Sequence, residues 1–235
     1  MNVMDRSIKG YIFDYGGTLD TGGCHWGRRI WHAYEHENVP VDEALFREAY
    51  VYAERELGRN PIIQPDYTFR KTLSVKLRIE MEYVSDHIEG FDASLWHDAV
   101  LDRLYGQTVA ETARSREVLG VLKGRCPMVL VSNFYGNIST VLSEFGFDGL
   151  FDSIVESAVV GVRKPDPRIF TLGVEALGMD AADVTVVGDS YDKDIVPARK
   201  AGCRTVWMRG EGWTNDPVTD TSAADIMITD LRELL

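Results

Sequence analysis

The stretch Tyr11-Ile12-Phe13-Asp14-Tyr15-Gly16-Gly17-Thr18-Leu19-Asp20 decides the fold. The apolar run Tyr11 to Phe13 reads as the end of a buried strand. Asp14 stands at its carboxyl end, and Gly16-Gly17 let the backbone turn tightly and approach a ligand. In open α/β sheets, ligands bind just beyond the carboxyl ends of the strands. A carboxylate there can serve as a nucleophile, a metal ligand or both. Taken alone, the same residues also describe a strand-end Asp that caps a turn.

The rest of the chain supplies the sheet. From Ser115 onward, strands and helices alternate, which predicts a parallel sheet with helices on both faces. The expected strands are 8–13, Met128–Ser132, Phe151–Glu156, Val184–Val187, Thr205–Met208 and Asp225–Ile228, the last before a terminal helix. The expected helices between them are Ile138–Phe145, Arg168–Leu177 and Ile195–Ala201, each followed by a glycine.

Between Thr21 and about Val109 the pattern changes to helical periodicity without β-branched runs. A helix is expected near Gly27–Glu37. Asp42 reads as an N-cap before the stripe Leu45, Ala49, Tyr52, Ala53 and Leu57, which ends at Gly58. Phe69, Leu73, Leu77, Met81 and Val84 form a second stripe. Trp96, Ala99, Val100, Arg103 and Leu104 form a third. The expected architecture is α/β: a Rossmann-like parallel core formed by residues 1–20 and 109–235, with an α-helical cap domain, 21–108, inserted after the first strand.

Composition excludes several classes. The 235 residues are 45% hydrophobic and 26% charged, as in a soluble globular protein. A net charge of −12 argues against a nucleic-acid or anionic-membrane surface. The N-terminus has no basic segment leading into an apolar run, and no apolar run is long enough to cross a bilayer. Cys24, Cys126 and Cys203 are odd in number and far apart, so buried free thiols are expected rather than disulfides or zinc. A cytoplasmic location is the simplest expectation.

Four stretches at strand ends carry the chemistry. They are Asp14 with Gly16, Gly17 and Thr18; Ser132-Asn133; Arg163-Lys164-Pro165-Asp166-Pro167; and Gly188-Asp189-Ser190 with Asp194. Each alone also fits an ordinary turn or helix start. Together they gather three carboxylates and a lysine at one sheet edge. Clustered acids repel unless a cation neutralises them, so a hard ion such as Mg²⁺ is implied. A lysine and a hydroxyl–amide pair beside that ion suit phosphate or another small anion.

These stretches resemble the four motifs of the haloacid dehalogenase superfamily of hydrolases. The 162–170 segment and Gly188-Asp189-Ser190 with Asp194 are similar to its phosphatase-like members. The resemblance implies that Asp14 is the nucleophile of an aspartyl-phosphate intermediate and that Ser132, Asn133, Gly17 and Lys164 hold the phosphoryl group. It also implies Mg²⁺ bound by Asp14, the carbonyl of Gly16, Asp189 and Asp194. The implied substrate is a small phosphorylated metabolite.

The sequence departs from the resemblance at one position. The family's phosphatases carry a second Asp two residues after the nucleophile, as general acid and base, and here that residue is Gly16. Such help is typically worth about 10²–10⁴-fold in rate. Asp20, His25 and His32 are nearby candidates to replace it, although both histidines also read as packing or surface residues. A substrate with a stable leaving group would not need the acid, and a catalytically weak phospholigand-binding protein would lack it. A phosphonatase-like hydrolase would have a small residue here together with a cap lysine. Lys71 and Lys76, however, fall where solvated helix positions are expected. His25, Trp26, Arg28, Arg55, Arg59 and Tyr67 are candidates to line the cap.

Overall fold

The computed structural model describes residues 8–214 and 218–235. Residues 1–7 and 215–217 of the expected core segments lie outside the described residues.

Strand β1 (Gly10–Phe13) is buried along its whole length. Four helices follow before the next strand: α1 (Trp26–His36), α2 (Glu43–Arg59), α3 (Phe69–Ser85) and α4 (His97–Lys123). The chain then runs β2 (Met128–Ser132), α5 (Ile138–Glu144), β3 (Ser153–Glu156), α6 (Ser157–Val160) and α7 (Arg168–Leu177). It ends with β4 (Val184–Gly188), a π-helical turn over Tyr191–Ile195, α8 (Val196–Lys200), β5 (Arg204–Met208) and β6 (Ile226–Ile228).

The six strands form one parallel sheet in the order β3-β2-β1-β4-β5-β6. The β1, β2 and β4 strands are rich in β-branched and aromatic residues and buried on both faces, as central strands of a parallel sheet must be. Phe13 pairs with Leu130 of β2 and with Val187 of β4, so Asp14 leaves the sheet level with the ends of both neighbours. The strand order reverses at β1, and that switch point is where open α/β sheets form their crevice.

The inserted helices are held by local signals. Asp42 caps α2 by accepting from Leu45 N–H at 2.8 Å, and Thr68 caps α3. The buried face of α2 is Phe46, Ala49, Tyr50, Ala53 and Leu57: it keeps Ala49, Ala53 and Leu57 of the expected stripe but takes Phe46 and Tyr50 in place of Leu45, which is only half-buried, and Tyr52, which points outward. The helix continues through Gly58 to Arg59, with Asn60 as its C-cap. The α3 stripe is buried throughout, whereas Ala99 of the third expected stripe is exposed.

Helix α4 runs unbroken through residues 108–109, where the expected boundary between core and insertion falls. Its second half buries Val118, Leu119 and Leu122 in the same apolar cluster that holds Phe46, Leu77 and Leu130. One continuous core therefore links the insertion to one face of the sheet. A second cluster, around Ile12, Val131, Ile169 and Phe170, fills the opposite face beneath α7. The chain ends in a 3₁₀ turn, Leu231–Leu234, rather than an α-helix.

All three cysteines are free; Cys203 is buried and the other two are half-buried, less than expected. Among the described residues, no helix is long and apolar enough to cross a membrane.

Candidate active site

Asp14 follows β1 and is fixed by its own backbone, whose N–H donates to Val187 O at 3.0 Å. The Lys164 ammonium donates to Asp14 Oδ1, and to Asp194 Oδ1 at 2.7 Å. The Thr18 hydroxyl lies 3.1 Å from Asp14 Oδ2 and 3.3 Å from Asp189 Oδ1. Asp14, Lys164 and Asp194 are each no more than 5% exposed.

Carboxylate oxygens of Asp14, Asp189 and Asp194 lie within 4.8 Å of one another. Burial pushes the Asp14 carboxyl up to about 6, with Lys164 opposing and Asp194 adding to the shift. Burial also pushes Asp189 well above the usual range, helped by Asp14 and Asp194. Burial opposes the charge on Lys164, but its two carboxylate partners outweigh that and hold it as an ammonium. Three acids share one fixed cation in a largely buried site, so their charge has to be met by protons or by a further cation, and a divalent, oxygen-preferring ion such as Mg²⁺ would fit.

The expected site residues converge, but they do not all offer free polar groups. Ser132 is buried at the end of β2. The amide of Asn133 clamps the Lys164 backbone, accepting from its N–H at 2.9 Å and donating to its carbonyl at 3.1 Å. Asn133 thus positions the lysine. Gly17 N–H donates to Asp20 Oδ1 at 2.7 Å, and Gly17 O accepts from Gly23 N–H. A phosphate contact to the Gly17 N–H would need its bond to Asp20 to yield. Gly17 serves the site in another way. Its φ is +101°, and a Cβ there would collide with the Asp189 carboxylate.

Asp194 is placed by the turn before α8: Ser190 N–H donates to its Oδ2 at 3.0 Å. The Asp189 carbonyl accepts from Trp207 Nε1 at 2.8 Å. That tryptophan was not singled out from the sequence, where it reads only as a strand residue.

Gly16 is exposed, and its φ is not in the left-handed region. The side chain facing it is Trp26, which donates from Nε1 to Asp20 Oδ2 at 2.9 Å. Both Asp20 oxygens are therefore engaged, and burial pushes this carboxyl up to about 7 against those bonds. His25 caps α1, accepting from Gly27 N–H at Nδ1, and packs against Trp213 and Tyr50. Burial lowers it to about 4, with Lys193 and Lys76 assisting, so it is neutral near pH 7. His32 is exposed and paired with Glu35 and Glu211.

Of the other expected lining residues, Arg28 is buried against Glu43 and Gly212 O, Arg55 and Arg59 are exposed, and Tyr67 is half-buried. Lys71 is exposed, as expected. Lys76 is not: it is buried, donates to Glu54, and lies 4.3 Å from the centre of the Tyr50 ring. Grooves of about 430 and 410 Å³ flank α2 on its outer side and contain none of the site carboxylates.

The model of the haloacid dehalogenase-like hydrolases matches residues 8–202, and the chain belongs to that family. It is 37% identical over 84 residues to a phosphoserine phosphatase of Thermus thermophilus, covering 36% of this chain and 32% of the relative. It is 38% identical over 95 residues to a glyceraldehyde 3-phosphate phosphatase of Methanopyrus kandleri, covering 40% of this chain and 41% of that one. The matches thus span less than half the length of these curated relatives. A solved dehalogenase structure, captured with an intermediate complex, shares the fold at a TM-score of 0.65. That match is 19% identical and covers 98% of this chain and 97% of the other.

Proposed function

We propose that this protein is a Mg²⁺-dependent phosphatase that hydrolyses a small phosphorylated metabolite through an aspartyl-phosphate on Asp14. The observation that carries this is the contact of one buried lysine with both Asp14 and Asp194, beside Asp189. Dehalogenation needs no such acid trio, whereas the charge of a phosphoryl group does need a metal and a lysine. The phosphatase names of the two partial relatives support the same reading.

In the proposed reaction an Asp14 carboxylate oxygen attacks phosphorus. The new O–P bond forms as the bond to the leaving oxygen breaks, and that oxygen departs with the bonding electrons as a carboxylate or phenolate that needs no proton. Lys164 neutralises Asp14 and the phosphoryl oxygens, Thr18 orients the carboxylate, and Ser132 offers its hydroxyl at the end of β2. Bound by Asp14, Asp189, Asp194 and the Gly16 carbonyl, Mg²⁺ would supply charge stabilisation to the phosphoryl group. Water then attacks the acyl phosphate, releasing phosphate and restoring Asp14. The insertion 21–108 serves as a cap that limits water at this site.

Gly16 gives no proton to the leaving group. Neither His25, committed to its cap, nor His32, on the surface, compensates. Substrates whose leaving group is already stable, such as acyl or aryl phosphates, suit this site best. The same open position favours a second reading, a phospholigand-binding protein with little turnover. A carbon–phosphorus hydrolase using a lysine Schiff base is disfavoured, because Glu54 holds Lys76 as an ammonium and a nucleophilic amine must be deprotonated.

Acid quenching during turnover of acetyl phosphate, followed by intact-mass analysis, tests the intermediate. The expected result is one phosphate added to wild type and none to Asp14→Asn. Turnover with no adduct on any rapid-quench timescale would contradict it.

A further inference from the structure

We infer that Glu54 reads the leaving group, favouring phosphates that carry a hydroxyl or ammonium donor and rejecting those that carry a carboxylate. This rests on the phosphatase reading and names the substrate class for that site.

The position of Glu54 follows from what α2 touches. Tyr135, three residues past Ser132, donates from its hydroxyl to Glu54 Oε1 at 3.2 Å. Lys193, next to Asp194, acts electrostatically on both Glu54 and His25. One turn further along α2, a Cβ on Gly58 would lie 3.8 Å from the guanidinium of Arg163, the neighbour of Lys164. This face of α2 therefore meets the loops that carry Ser132 and Lys164, and the leaving group of a phosphate on Asp14 is inferred to lie beneath it.

The chemistry follows from how Glu54 is held. Lys76 and Tyr135 both donate to Oε1, while Oε2 has no partner among the described residues. The Glu54 side chain keeps 39% of its surface accessible, against 9% for Lys76. Burial works against its charge, but Lys76 and Tyr135 outweigh it and keep the carboxylate ionised. The cation of this pair is sealed and its anion is presented. A fixed carboxylate with one free oxygen accepts from an ammonium or hydroxyl and repels another carboxylate.

Binding is the direct test, because it does not depend on the missing acid at Gly16. Calorimetry with Mg²⁺ on Asp14→Asn would compare O-phosphoethanolamine with phosphoglycolate. Phosphoethanolamine is expected to bind at least about tenfold tighter, the scale of one charge-assisted hydrogen bond. Adding Glu54→Gln should bring the two affinities within about threefold of each other. Glu54→Gln leaves Lys76 buried without its partner, so Glu54→Gln with Lys76→Met removes both charges together and should give the same collapse. Equal binding, a preference for phosphoglycolate, no binding of either, or a ratio unchanged in both variants would overturn the inference. Phosphate release from acetyl phosphate by wild type, measured alongside, tests the parent reading independently. Release without a binding preference would sink only the role of Glu54, and a preference without release would sink only the phosphatase.

Discussion

A Cβ added to Gly16 would lie 3.9 Å from Cδ1 of Trp26, an ordinary van der Waals contact. The fold therefore does not require glycine at the position where related phosphatases carry their general acid. Gly16→Asp is expected to fold with a stability within about 1 kcal/mol of wild type. It should also raise the release of phosphate from unactivated alkyl esters by about 10²-fold or more. Parallel steady-state assays on an alkyl and an acyl phosphate would show it, since the acyl phosphate should gain far less. Equal gains on both would mean that the new carboxylate acts in some way other than protonating the leaving group.

The adjacent glycine behaves oppositely. Gly17→Ala introduces strain at a φ of +101° and drives a methyl group into the Asp189 carboxylate. Activity should fall to background, with a loss of thermal stability that Gly16→Ala does not share. Melting curves of the two alanine variants side by side check this.

The acid trio predicts a stabilising metal effect. Mg²⁺ at about 100 times its dissociation constant should stabilise wild type by about 2.7 kcal/mol. Chelation with EDTA should reverse that gain, and Asp189→Asn should lose most of it. Thermal melts with and without Mg²⁺ provide the readout. The same gain in Asp189→Asn would place the ion elsewhere.

Much of this was legible in the sequence, for physical reasons. The central strands are short apolar runs ending in chemistry-bearing residues, and the parallel sheet puts those ends on one edge. That is why Asp14, Ser132 and Asp189 read as strand-end residues, whereas Lys164 and Asp194 lie further along the loops after β3 and β4 and stand out only in combination with the others and through the family resemblance. Side-chain commitments were not legible. The clamp of Asn133 on Lys164 and the bond from Gly17 to Asp20 depend on loops meeting in space. Lys76 reads as a solvated helix residue because its partner, Glu54, lies on another helix 22 positions away. The expected α2 stripe holds at Ala49, Ala53 and Leu57 but takes Tyr52 for Tyr50, since the two tyrosines look alike in a pattern and only packing against Trp213 and Lys76 distinguishes them.

His25 gives the structure a pH signature. Its folded value is about 4, lowered by burial and then by Lys193 and Lys76, against an ordinary value of 6.5. Between those two values the unfolded chain binds the extra proton. His25 therefore costs nothing above pH 6.5 and destabilises the fold progressively down to pH 4, by up to about 3 kcal/mol. Denaturant melts of wild type and His25→Asn should differ in slope with pH across that window and run parallel above it. Asparagine keeps a side-chain acceptor at the helix cap. Parallel curves throughout the window would show that His25 is not held neutral.

The most direct measurement is phosphate release from acetyl phosphate and p-nitrophenyl phosphate by wild type and Asp14→Asn, each with and without Mg²⁺. Wild type with Mg²⁺ is predicted to release phosphate, and removing either the metal or the Asp14 carboxylate is predicted to abolish it. Release that persists without Mg²⁺ or in Asp14→Asn, or no release by wild type from either compound, would contradict a metal-dependent phosphatase built on Asp14.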